Sequence, residues 1–131
     1  MKHKIGYVSF LVQDYDEAIA FFTEKLDFHV VEDTDLGDEK RWVLIAPSIS
    51  SETCLLLAKV TSSTQKELVG HQAGGRVFLF LHTDDFWRDY EKLRSRGIVF
   101  NEEPRTEAYG TVAVFVDLYG NKWDLLQLHS T

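Results

Sequence analysis

Asp124 lies in the strand-like run Trp123–Leu128, and its surroundings decide what chemistry it can do. On a rim it pairs with Lys122 or Arg41; facing a cleft it offers a charge to a cationic ligand. Buried without a partner, it loses the water that stabilises its anion, its pKa rises, and it becomes a candidate general base. Trp42 and Trp123 present broad aromatic faces, either to a planar ligand or to the core, and Trp87 falls on a helix as core or interface. The histidines fit less chemistry than their number suggests. His3 and His129 lie near the termini and read as solvated, and His29 alternates with Phe28 and Val30 and faces outward. His82, beside Asp84, takes a local structural part at a helix start, which leaves His71, in the segment GHQAGG, as the one placed near a pocket mouth. No two of them share the i, i+4 spacing of a helical metal site. Gly74-Gly75 precedes a strand rather than a helix N-terminus, so it does not read as a phosphate loop.

These residues sit in a chain of 131 residues, enough for one domain with a core of its own. The apolar fraction of 44% is that of an ordinary globular protein, and no apolar run reaches the length of a membrane span. The start MKHKIGYV leads straight into a strand pattern without a signal-peptide layout. A single cysteine, Cys54, rules out an internal disulfide and fits a reducing, cytoplasmic setting. A formal charge of −7 argues against nucleic acid or an anionic membrane as partner.

The elements that must position the candidates follow from periodicity. Ile5–Val12 alternates as a strand, and Asp14 with Glu17 forms a capping box before a helix over Asp16–Leu26. That helix aligns Ala18, Ile19, Phe22 and Leu26 on one stripe. Phe28–Asp33 is a short strand, the charge-dense 34–40 a solvated turn around Gly37, and Arg41–Ala46 and Thr53–Val60 are strands. Thr61–Gly75 is polar and glycine-bearing and reads as a connector. The order then restarts with a strand at Arg76–His82, a helix at Asp84–Arg96 stopped by Gly97, and a strand at Ile98–Asn101. A hairpin closes the set, Thr111–Val116 and Trp123–Leu128 around the turn Asp117–Asn121.

The two halves superpose at a constant offset of about seventy positions, Tyr7 on Val77, Asp14 on Asp84, Trp42 on Val112 and Leu55 on Leu125. The chain therefore reads as a single α+β domain over 1–131, made of two βαβββ modules at 1–60 and 76–131 joined by the connector 61–75. A sheet with a helix on one face leaves the other bare, so two such units are expected to enclose a cleft between curved mixed sheets.

Three stretches resemble one family. VQDYDEAIAFFTEKLDF is similar to V-x-D-x-x-x-x-x-x-F-Y-x-x-x-L-G-F, RSRGIVF follows in the second half, and DLYGNKWDLLQ resembles the closing D-P-D-G-N-x-x-E-L of the vicinal oxygen chelate superfamily. That superfamily gathers glyoxalases, bleomycin-resistance proteins and dioxygenases. The departures are Phe22 for tyrosine, Asp27 for glycine and Leu118-Tyr119 for Pro-Asp. In metal-dependent members four strands each supply one His, Gln or Glu. The resemblance carries those positions onto Tyr7, onto Cys54 or Leu56, onto Val77 and onto Asp124.

Leu56 and Val77 have no donor atom, Tyr7 is a poor ligand while protonated, and one carboxylate does not hold an ion that wants three or four ligands. Cys54 as a thiolate suits only a soft metal. No metal and no cofactor are expected. Leu11 stands where glyoxalases carry the arginine that anchors the glutathione carboxylate, and makes no such contact. The resemblance implies a cleft lined by Tyr7, Ser9, Leu11, Trp42, Val43, Leu56, Val77, Phe115 and Asp124, mostly apolar with a few polar groups, as small-molecule pockets are. The expected function is metal-free binding of a small planar or cationic organic compound, an antibiotic among them, by a homodimer. The rival is a metal-dependent lyase, isomerase or dioxygenase with an atypical ligand set drawn from Cys54, His71 and Asp124; a ligand-free structural dimer is the third reading.

Overall fold

The computed structural model describes residues 1–129 and divides the chain into two compact units, the first Met1–Val69 and the second beginning at Gly70. In the first unit β1 (Tyr7–Val12), α1 (Tyr15–Leu26), β2 (His29–Gly37), β3 (Lys40–Ala46) and β4 (Cys54–Lys59) precede a short helix α2 (Ser63–Leu68). Its sheet runs β1-β4-β3-β2, with β1 parallel to β4 and the other pairs antiparallel. The second unit repeats the plan: β5 (Val77–His82), α3 (Phe86–Ser95), β6 (Arg105–Glu107), β7 (Gly110–Val116) and β8 (Lys122–Leu128), in the order β5-β8-β7-β6. Again only the first and last strands, β5 and β8, pair in parallel. These are two βαβββ modules with open, mixed sheets.

Each helix starts where a carboxylate can take the orphan amides of its first turn. Asp14 accepts from the Glu17 amide at 2.8 Å, and Asp85 accepts from the Arg88 amide at 3.2 Å. α1 ends at Asp27, which takes the left-handed conformation (φ 58°) that glycine fills more easily. The sheet faces turned to α1 carry Phe10, Val12, Val43, Ile45 and Leu57, all buried against Ala18, Phe22 and Leu26, with Phe10 edge-on to Phe22 at 5.4 Å. Each such side chain contributes about 1.5–3 kcal/mol of burial. In the second unit a relay of rings ties helix to sheet: Phe86 stacks on Tyr90, Tyr90 meets Phe100 at 4.6 Å, Phe100 meets Phe115, and Phe115 stacks on Trp123 at 5.8 Å.

The Asp117–Asn121 turn is organised by one carboxylate. Asp117 accepts from the amides of Tyr119 and Asn121, from Asn121 Nδ2 and from Trp123 Nε1, at 2.9 to 3.1 Å. Gly120 supplies the positive φ (90°) that closes the turn.

Three segments depart from the sequence reading. The stretch 34–40 is not a loose turn: β2 continues to Gly37, Thr34 pairs with Trp42 and Asp35 with Arg41, and the hairpin turns on Asp38 and Glu39, both at positive φ. β2 is an edge strand exposed along its whole length, so it carries no apolar alternation to reveal it. The stretch 61–75 contains α2, capped by Ser62, whose Oγ accepts from the Gln65 amide at 3.2 Å. Ile98–Asn101 is no strand of its own; Phe100 forms an isolated bridge to Phe115, and the strand beside β7 is the three-residue β6. Here a buried Ile98 and a half-buried Phe100 packed on Tyr90 produced a strand-like pattern without a ladder.

Candidate functional site

Period-2 alternation fixes what the helix-free face of the first sheet displays. β1 contributes Ser9 and Leu11, β4 contributes Leu56, and β3 contributes Trp42, with Ser9 in register with Leu56. These four line a cavity of about 640 Å³ contained within the first unit. Tyr7, on the same face of β1, is exposed and meets Trp42 edge-to-face at 5.9 Å. Leu44, Ala46 and Cys54 form a buried apolar cluster against which Trp42 and Leu56 pack, so the aromatic wall is held from the side, on the same face of the sheet.

Polar groups stand where the strands end. Gln65, on the first turn of α2, uses its Oε1 to accept from Thr61 N (2.8 Å) and Thr61 Oγ1 (3.1 Å). Its two Nε2 hydrogens have no protein partner among the described residues, which leaves an uncommitted donor on a residue that lines the cavity. Tyr15, also lining the cavity, takes a hydrogen bond on its hydroxyl from the Arg41 amide, and the Arg41 guanidinium lies over its ring at 5.2 Å. That guanidinium is itself occupied, bonding Asp33 at 2.7 and 3.2 Å and Asp16 at 2.8 Å. These bonds hold Arg41 firmly protonated and pull the Asp33 carboxyl below its usual range. Lys40, Lys59, Asp38 and Glu39 complete the wall with both signs of charge. The cavity thus combines an apolar floor, one uncommitted amide donor and a mixed, exposed rim.

The remaining expected site residues lie elsewhere. Val43 is fully buried on the α1 side of its sheet, because it neighbours Trp42 and so points the other way. Phe115, on the second sheet, is fully buried on the α3 side, in register with Trp123 and stacked on it. Val77, half-buried, pairs with Lys122 at the start of β5. Trp123 is core, its indole N–H given to Asp117, whereas Trp87 is 57% exposed on α3. His71 lines a smaller cavity of the second unit; His29 and His82 are exposed. Tyr15, Arg41 and Gln65 were not anticipated as lining residues. The Ser62-x-x-Gln65 spacing is a capping-box signal that could have revealed α2, and with it Gln65.

Asp124 sits on β8 in register with Phe80 and Val114, on the face away from α3. It is 6% exposed, and its Oδ1 has no hydrogen-bond partner. Neither Lys122 nor Arg41 pairs with it among the described residues. Burial pushes its pKa up; Arg105 pulls against that, and Glu102 adds to it. Arg105 is a weak counterion because Glu102 and Glu107 already hold it, at 3.2 and 2.5 Å.

The family's metal positions do not make a donor set here. Leu56 and Val77 have no lone pair to give, Cys54 is buried among Leu44 and Ala46, and no three His, Cys, Asp or Glu side chains cluster among the described residues. The residues present therefore do not fit a divalent ion that needs three or more protein ligands.

Comparison with known proteins agrees with this architecture. A Shewanella frigidimarina protein, described only as uncharacterized, is 53% identical over 98% of this chain and 96% of its own. The crystal structure of UcmS2 superposes with a TM-score of 0.83 at 34% identity, covering 96% of this chain and 98% of that one. TnmS3, an antibiotic binding protein from Streptomyces sp. CB03234, gives a TM-score of 0.78 at 29% identity over 98% of both chains. The Glyoxalase/Bleomycin resistance protein/Dioxygenase superfamily model matches residues 4–125, and the chain belongs to that superfamily.

Proposed function

We propose that this protein is a metal-independent binding protein that sequesters a small planar organic molecule, an antibiotic-like compound among the candidates. The observation that carries this reading is the cavity beneath Trp42, Leu11 and Leu56, whose volume of about 640 Å³ lies inside the range of small-molecule sites. The likeness to TnmS3, itself an antibiotic binding protein, supports the ligand class. Trp42 supplies a stacking face, Gln65 Nε2 a donor for a carbonyl or hydroxyl, and the mixed rim accommodates a charged substituent. A homodimer in the cytoplasm completes the proposal; the lone Cys54 fits that compartment, and light scattering on purified protein tests the dimer.

The test is a thermal-shift screen with planar aromatic antibiotics and planar cationic dyes, run in a chelator. A ligand at about one hundred times its Kd stabilises the protein by about 2.7 kcal/mol. Trp42→Ala is expected to lower the unliganded Tm, since Trp42 packs on Leu44, Ala46 and Cys54, and to abolish the ligand-dependent shift measured from that new baseline. A panel without a single hit, or hits that appear only on adding a divalent metal, overturns the proposal.

Asp124 favours one second reading, an enzyme that uses this carboxylate as a general base. An unpartnered Oδ1 and a pKa raised by burial suit a base, and the reading requires in addition that a substrate reach this carboxylate, which lines neither of the cavities described above. Under that reading a bound compound is turned over and Asp124→Asn stops turnover without loss of binding. Unchanged ligand recovered after long incubation excludes it.

A further inference from the structure

We infer that the second unit carries a separate anion site, suited to the phosphate group of an organic phosphate monoester. A cavity of about 220 Å³ opens between the loop after Val69, the start of β5 and the β7–β8 turn. Arg76, Lys122 and His71 line it, and no Asp or Glu is among its lining residues. In a chain whose formal charge is −7, a hollow walled by two permanent cations and an imidazole is a local reversal of sign. Neither Arg76 nor Lys122 makes an ion pair or hydrogen bond through its side chain among the described residues, in contrast to Arg41, Arg88 and Arg105, each held by two carboxylates. The two positions are brought together by register: Val77, next to Arg76, pairs with Lys122 where β5 and β8 begin side by side.

The backbone adds one donor, since the Gly120 N–H is already given to the Asp117 carbonyl at 3.0 Å. Gly75 and Gly120, both lining the cavity, hold positive φ (91° and 90°), and the Gly75 N–H has no partner among the described residues. Asp117, in the adjoining turn, is buried and already accepts four N–H donors. Guanidinium binds an oxyanion through two parallel N–H bonds, and ammonium adds a point charge, so the pair suits a tetrahedral dianion. The volume equals about seven waters at roughly 30 Å³ each, more than a bare oxyanion fills. Phe78 and Ala73 line the remainder, which fits a short apolar ester substituent.

The probes are inorganic phosphate, phenyl phosphate and phenol, titrated at low salt while the amide resonances of Gly75 and Gly120 are followed by NMR. Phenyl phosphate is expected to bind, inorganic phosphate to bind more weakly, and phenol to leave both resonances unmoved. Arg76→Gln and Lys122→Gln, both at exposed positions, are each expected to weaken binding about tenfold. Equal affinity for inorganic phosphate keeps the anion site and assigns it to the free ion. No shift with either phosphate, a response to phenol, or full binding by the double variant overturns the inference. Trp42→Ala, in the first unit, is expected to leave these titrations unchanged, so this site stands or falls separately from the ligand cavity.

Discussion

Replacing Asp124 with Asn is expected to stabilise the protein at neutral pH, against the usual direction for a buried substitution. The carboxylate is 6% exposed, Oδ1 is unpartnered, and its charged form has lost most of its water. A buried group left unsatisfied costs about 1–3 kcal/mol, more when charged. Arg105 returns part of that, but it is already shared with Glu102 and Glu107, so a net gain of about 1 kcal/mol is expected on neutralising the side chain. For a domain of this size that is a rise in Tm of about 3–5 °C. The pH dependence fixes the cause. Burial raises the folded-state pKa above the unfolded value near 3.9, so between the two the native protein binds more protons than the unfolded chain. Wild type therefore loses stability as pH rises through that window, while the Asn variant, which does not titrate there, does not. Urea unfolding of both proteins from pH 4 to pH 8 should give a difference that is small at the acid end and grows towards neutrality. A difference that stays flat with pH, or an Asn variant less stable at pH 7 and equal at pH 4, would mean the charge is satisfied in the native state, and the reasoning fails.

The other perturbations are more conventional in sign. Asp117→Ala strands four N–H donors in the β7–β8 turn and should cost about 3 kcal/mol or more, read as a lower urea midpoint. Gly110→Ala places a Cβ against the Gln127 carbonyl of β8, backbone that has no room to yield, and should cost about 2–4 kcal/mol; a neutral variant would show that β7 and β8 separate at that point. Arg41→Met frees Asp33 and Asp16 and should cost about 1 kcal/mol near neutral pH, less in high salt. Because Arg41 lowers the Asp33 pKa, its contribution is present above the unfolded carboxyl pKa and disappears as pH falls through the folded one, so this variant and wild type should converge in acid.

The contrast between what was legible in the sequence and what was not comes down to parity and distance. The module repeat showed because each copy needs the same caps, the same apolar stripe and the same parallel pairing of first and last strands, and each need marks specific residues such as Asp14, Gly97 and Asp117. β2 showed only in its first half, read as Phe28–Asp33, because the rest of an edge strand exposed along its whole length has no burial to write into its alternation. Within the site, Ser9, Leu11, Trp42 and Leu56 share one face of one sheet, whereas Val43 is one residue out of phase with that face and Phe115 lies on the other sheet, turned to α3. In a strand a slip of one residue exchanges ligand-facing for helix-facing side chains, so an apolar strand buried on both sides leaves its parity undecided until a helix contact such as Phe10 on Phe22 settles it. Tyr15 and Gln65 reach the cavity from helix first turns, where the strand period says nothing about them. Asp124 marks the limit most sharply. Sequence alone leaves it a choice between a paired rim charge and a desolvated base, because the partner that would decide lies on other strands. The sheet supplies Phe80 and Val114 as its register neighbours and commits Arg105 to Glu102 and Glu107, so burial raises the pKa of this carboxylate with only a shared counterion to oppose it.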